Sequence, residues 1–186
     1  MKRYFYPVII LLASLLSLQS SAQETAIAPQ FKTYRVGIFA PLYLDSVFSY
    51  AGNFRYKEGM PKFITPAVDF VNGVQIGLDS LKLMYANVEA YIYDTKSYSA
   101  PLADLIKNKK LDNLDLLIGS VRDVEYRQLA DFALSKNVPF ISAVYPNDGG
   151  ITANPNVIIL NSTLKAHCEA IYSYVLQNHG TDKIFL

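Results

Sequence analysis

Short β-branched runs alternate with amphipathic stretches along this chain from Tyr34 onward, and that rhythm restricts the folds open to it. Tyr34-Arg35-Val36-Gly37-Ile38-Phe39-Ala40 reads as a first strand closed by Pro41. Val88-Glu89-Ala90-Tyr91-Ile92-Tyr93 is a second, ending at Asp94. Further runs at 114–119, 140–144 and 157–160 make five. Helical periodicity separates most of them, and several strands are near-continuous aliphatic runs. Strands buried on both faces read that way, so the expectation is an α/β fold, an open parallel sheet with helices on both faces and right-handed crossovers.

The helices carry their own punctuation. Thr65 is placed to cap the first, with Pro66 in the first helical position and Asp69 complementing the dipole. Val71, Val74, Leu78 and Leu81 recur at spacings of three and four, which defines one buried face. Gly73 and Gly77, one turn apart, would let that helix approach a sheet closely. A short helix is expected over 102–109. Asp123 is placed to cap the next one, whose Tyr126, Leu129 and Ala133 share a face, and Asn137 ahead of Pro139 stops it. The last helix, near 165–178, presents Cys168, Ile171 and Val175 on one side and stops at Gly180. The 42–64 connection is long for a compact domain and rich in aromatics. Its Tyr43, Phe48, Tyr50, Phe54 and Tyr56 either line a ligand cleft or pack the loop onto its own domain.

The N-terminus has the layout of a secretory signal. Lys2 and Arg3 precede a mostly aliphatic stretch at 8–18, and Ser20-Ser21-Ala22 supplies small residues for cleavage. The apolar stretch is shorter than the ~20 residues that span a bilayer, so cleavage after Ala22 is expected, with no direct membrane insertion afterwards. No cysteine near that point offers lipid attachment. Lys2 and Arg3 are two of the 17 basic residues, and without them 15 stand against 16 acidic ones. That balance gives no general attraction for nucleic acid. Cys168 is the only cysteine, so no internal disulfide forms. His167 and His179, the only histidines, do not share a helical face, and no metal or other cofactor is expected.

Ligands of open parallel sheets bind beyond the carboxyl ends of the strands, where the strand order reverses. The rule selects the loop after Ala40, the surroundings of Asp94, the 119–123 turn and the 142–147 turn. Neither G-x-G-x-x-G after the first strand, nor G-x-x-x-x-G-K-[ST], nor G-x-S-x-G is present. Cys168 is expected as a buried, inert thiol. Asp45, Asp94, Asp115 and Asp123 are candidate acids, but strand-end and capping positions give a carboxylate structural work. The chain is therefore not expected to be an enzyme.

Val36-Gly37-Ile38-Phe39-Ala40-Pro41-Leu42, Gly73-Val74-Gln75-Ile76-Gly77-Leu78, Tyr91-Ile92-Tyr93-Asp94-Thr95 and Leu117-Ile118-Gly119-Ser120 follow in order, ahead of Phe140-Ile141-Ser142. Together they resemble the first lobe of type I periplasmic solute-binding proteins, the group of leucine/isoleucine/valine-binding proteins and receptor ligand-binding regions. After the signal peptide at 1–22 and a polar linker at 23–33, the resemblance implies a first α/β lobe at 34–161 and the start of a second lobe at 162–186. The apolar run at 183–186 has no turn after it, and is expected to be a strand of that second lobe in a longer protein. The resemblance further implies a small polar ligand, an amino acid or related metabolite, held between lobes by Ser120, Val121, Ser142, Ala143 and Val144, with Tyr43 from the aromatic loop. A membrane transporter or sensor would be the partner, and the periplasm or another exported location the site of action. The stretch Tyr145-Pro146-Asn147-Asp148-Gly149-Gly150 lacks the Ser/Thr-rich run common in amino-acid binders. This leaves a second expectation, a non-catalytic cell-envelope scaffold fused to a wall-binding module.

Overall fold

A computed structural model describes residues 32–145, 148–151 and 153–183. The chain divides into two units, Met1–Lys32 and Thr33–Leu186, and the described residues lie almost wholly in the second. The expected signal peptide, most of the linker, and the apolar end at 184–186 fall outside the described residues.

Five parallel strands form one sheet in the order β2-β1-β3-β4-β5. They are β1 (Tyr34–Ala40), β2 (Val88–Asp94), β3 (Leu116–Gly119), β4 (Phe140–Ser142) and β5 (Val157–Ile159). β1 is an interior strand that pairs on both sides, Phe39 standing opposite Tyr93 on one flank and Gly119 on the other. Among the described residues five helices accompany them: α1 (Leu44–Val47), α2 (Thr65–Leu83), α3 (Leu102–Lys107), α4 (Asp123–Lys136) and α5 (Leu164–His179). The α/β class and the all-parallel sheet are as the rhythm predicts. Helix α1 was not expected, being a single turn inside the aromatic connection.

Alternation along β1 splits the sheet into two faces. Phe39, Leu117 and Phe140 point to one face, where they join Leu102 of α3 and Tyr126, Leu129 and Ala133 of α4 in the main core. Val36, Ile38, Leu116 and Ile118 point to the other, toward Val74 and Leu78 of α2. Contact on that second face is looser than Gly73 and Gly77 suggest. A Cβ at either glycine would meet nothing within 4 Å, and an apolar cavity of about 400 Å³ lies between α2 and the sheet. Leu81, expected on the buried face, is 38% exposed.

Two caps differ from expectation. Ile64, not Thr65, is the N-cap of α2, and the Thr65 hydroxyl instead donates to the Pro61 carbonyl at 3.3 Å. Asp123 is the first residue of α4 rather than its cap, because extended Arg122 occupies the cap position and no side chain caps the helix. Asn137 ends α4 as expected, in the left-handed conformation with φ 53°. Cys168 is exposed rather than buried, since no residue of α5 is buried.

Gly37 illustrates how tightly the main core is filled. A Cβ there would lie 2.6 Å from Leu114 Cδ1 and 2.8 Å from Phe39 Cε2. Phe39 is wholly buried and Leu114 nearly so, so neither can move aside without displacing the core. Gly37→Val is expected to destabilise the fold by about 1–3 kcal/mol, the usual cost of overpacking, read as a lower urea midpoint.

Candidate functional site

β1 hands the chain leftward through α2 to β2, whereas β3 hands it rightward through α4 to β4. The reversal opens a crevice at the carboxyl ends of β1 and β3, the place where open parallel sheets bind ligands. A cleft of about 480 Å³ lies there. Tyr43 and Phe63 form one wall, Thr95 and Lys96 arrive from the end of β2, and Ser120, Val121 and Glu125 come from the β3–α4 turn and α4.

Two carboxylates fix the first wall. Asp94, at the end of β2, accepts from the backbone N–H groups of Leu42 (2.9 Å), Tyr43 (3.0 Å) and Leu44 (2.7 Å), and also from Lys96 N–H (2.9 Å). It supplies the otherwise absent acceptor at the start of α1, whose N-cap Tyr43 has no capping side chain. Asp45 returns the contact. Its carboxylate accepts from Tyr98 N–H (2.7 Å), Ser99 N–H (3.0 Å) and the Ser97 hydroxyl (2.9 Å). Each loop thus holds the other, and the Asp94 carboxylate has structural work.

Of the five loop aromatics singled out in the sequence, only Tyr43 lines the cleft, and the other four are exposed rather than packed onto the domain. Tyr43 and Phe63 meet edge to face at 5.3 Å and line the cleft. Phe48, Phe54 and Tyr56 continue a chain of ring contacts within the loop, which Tyr56 joins to Phe63 at 6.3 Å. Tyr50 makes none of these ring contacts and is fully exposed.

Of the expected ligand contacts, Ser120, Val121, Val144 and Tyr43 line the cleft. Ser142 and Ala143 do not. Ser142 is wholly buried, its hydroxyl without a hydrogen-bond partner, and Ala143 spends its N–H on the Gly119 carbonyl at 2.9 Å. Sequence reasoning missed Thr95, Lys96, Phe63 and Glu125. The first two directly follow Asp94, a position the strand-end rule had selected. Glu125 carries no local signal, because its role depends on Lys96 across the cleft.

Ser120 and Thr95 are more than nine-tenths buried, and their hydroxyls bond no described residue. The N–H groups of Asp123, Val124 and Glu125 are likewise unbonded among the described residues, as expected for an uncapped helix start. Lys96 reaches across to the Glu125 carboxylate, and that hydrogen bond holds the ammonium pKa above its ordinary value despite partial burial. The site therefore offers hydroxyls and helix N–H groups for an anionic or polar group, next to an aromatic wall for apolar bulk. Tyr43 and Asp123, on opposite sides, both have positive φ (54° and 50°), a strained conformation that clusters at functional sites. Among the described residues no three His, Cys, Asp or Glu side chains come together to hold a metal, and no helix is long and apolar enough to cross a membrane.

These features define an α/β domain with a ligand-sized cleft at its topological switch point. Compared with models of known protein families and with curated protein sequences, the chain matches none.

Removing the Asp94 carboxylate leaves several N–H groups without an acceptor. Asp94→Ala is expected to cost about 2–3 kcal/mol, in the range for hydrogen bonds to a charged group, and to speed amide exchange at Leu42, Tyr43 and Leu44 while the β3–β4 amides stay protected. Asp45 yields a pH dependence. Its carboxyl is held below the ordinary 3.8, first by the Ser99 N–H and then by the Ser97 hydroxyl. A carboxyl with a depressed native pKa stabilises the fold above its unfolded pKa and loses that contribution as pH falls through the native one. The advantage of the wild type over Asp45→Asn is expected to be full at neutral pH and to shrink below about pH 4, measured as the difference between urea midpoints.

Proposed function

We propose that this chain is the first lobe of an exported solute-binding protein of the type I periplasmic class, holding a small polar ligand without chemistry of its own. The observation that carries the reading is the cleft at the switch point, lined by Ser120, whose hydroxyl bonds no described residue, beside the uncapped start of α4. A carboxylate or other anionic head accepts hydrogen bonds from such donors, and the Tyr43–Phe63 wall takes the apolar remainder. An amino acid or related metabolite has this build. The strained residues on both sides support the reading, since loops set before the ligand arrives lower the ordering cost of binding. On this reading the protein delivers its ligand to a membrane transporter or sensor from the periplasm or another exported location.

Calorimetric titration of the complete two-lobed protein with a panel of amino acids and related metabolites tests it. Saturable binding of at least one member is expected, weakened about fivefold by Ser120→Ala, the worth of one neutral hydrogen bond. Ser142→Ala, which removes a hydroxyl outside the cleft, is expected to leave that affinity unchanged. A panel that gives no heat at all sinks the proposal.

A further inference from the structure

The outer edge of β2 presents peptide groups that pair with no described residue. Tyr34 N–H donates to the Asn87 carbonyl at 2.9 Å, and Thr95 N–H donates to the Ala40 carbonyl at 3.0 Å. These two bonds fix the phase of the parallel ladder. Odd-numbered residues of β2 turn their N–H and C=O groups toward β1, and Val88, Ala90 and Ile92 turn theirs outward, where no described residue meets them. Proteins commonly blunt such an edge with Lys, Pro, a bulge or a covering segment. β2 has neither Lys nor Pro and stays in unbroken register with β1 along its seven residues. The opposite edge, β5, has three residues.

The pattern of side chains along this edge is self-complementary. In an antiparallel pairing of two copies about a two-fold axis at Ala90, Ala90 faces itself and Val88 faces the copy's Ile92. Each facing pair then exchanges both of its backbone hydrogen bonds. Val88, Ala90 and Ile92 share the apolar α2 side of the sheet, and Ile92, now 49% exposed, gains a β-branched neighbour. On the other side, Glu89 faces the copy's Tyr91. Within one chain the Glu89 carboxylate already accepts from the Tyr91 hydroxyl (2.9 Å) and from Arg35 Nε (3.2 Å). The pairing sets these groups across from one another with no like charges opposed.

Neighbouring registers are worse. An axis at Glu89 sets that carboxylate against its own copy. An axis at Tyr91 sets Val88 against Asp94, whose carbonyl already accepts from Ser97 N–H at 3.4 Å. We propose that the chain self-associates through β2, two copies joining antiparallel about an axis at Ala90 into one continuous sheet.

Sedimentation equilibrium of the whole chain tests this together with two substitutions. Ala90→Pro deletes an outward N–H and leaves the β1 ladder untouched, as suits proline on an edge strand. Ile92→Lys places a charge at the interface and does not depend on proline being accommodated. The wild type is expected at twice the mass of one chain, and both variants at the mass of one, with unchanged far-ultraviolet circular dichroism. In a Cys168→Ser background, Ala90→Cys puts the thiols on the axis with Cα atoms about 5.5 Å apart, within disulfide reach. It is expected to cross-link at least tenfold faster than Tyr91→Cys. A wild type that stays monomeric, whether the edge is left open or taken by a strand of another protein, overturns the proposal. So does a dimer that survives both substitutions, or one in which Ala90→Cys cross-links no faster than Tyr91→Cys.

Discussion

Parallel pairing of β1 on both of its sides is the constraint from which the rest follows. Parallel neighbours cannot be joined by a tight turn, so each strand must return over a face of the sheet before the next begins. The return from β1 runs through α2 on one face, and the returns into β3 and β4 run through α3 and α4 on the other. All carboxyl ends therefore lie along one side, and the change of direction between β1 and β3 leaves a gap that no crossover covers. The cleft is a by-product of this topology, and the residues beyond the strand ends determine what it can hold.

Those residues are held by exchange between loops rather than by burial. Asp94 belongs to β2 and organises the start of α1, while Asp45 belongs to α1 and organises the loop after β2. Neither segment has a regular partner of its own, and each supplies the acceptor that the other's backbone needs. Across the gap, Lys96 and Glu125 join this wall to the first turn of α4. Rigidity of the site is thus electrostatic and local, set on a core that is apolar and well filled on the α3–α4 side.

Much of the fold was legible because it rests on short-range pattern. Aliphatic runs located all five strands, and Asn137 took the position that its backbone preference dictates, whereas Pro66 stands second in α2 rather than first, one residue later than expected. The misplaced caps at Thr65 and Asp123 arose from assuming that a polar residue near a helix start is the cap. Thr65 found a nearer acceptor in the Pro61 carbonyl, and Arg122 took the position before Asp123. For the cleft, the strand-end rule reached Ser120, Val121 and Val144, and the aromatic content of the loop reached Tyr43. Glu125 stayed hidden because its partner Lys96 lies 29 residues away, a separation that no local pattern encodes. Cys168 was misjudged for a related reason. An apolar stripe shows that a helix has a face to bury, not that anything in the described residues covers it.

Helix α5 carries that point into the unfolding behaviour of the molecule. With none of its residues buried, its 16 residues hold together by their own hydrogen bonds and the Thr163 cap, near the length at which an isolated helix in water is marginal. Since no described residue covers α5, its melting is expected to be uncoupled from that of the sheet. The helical signal of the chain is then expected to fall in two stages, a shallow early one for α5 and a cooperative later one for the packed core, so a single-transition fit would mix a local equilibrium with a global one.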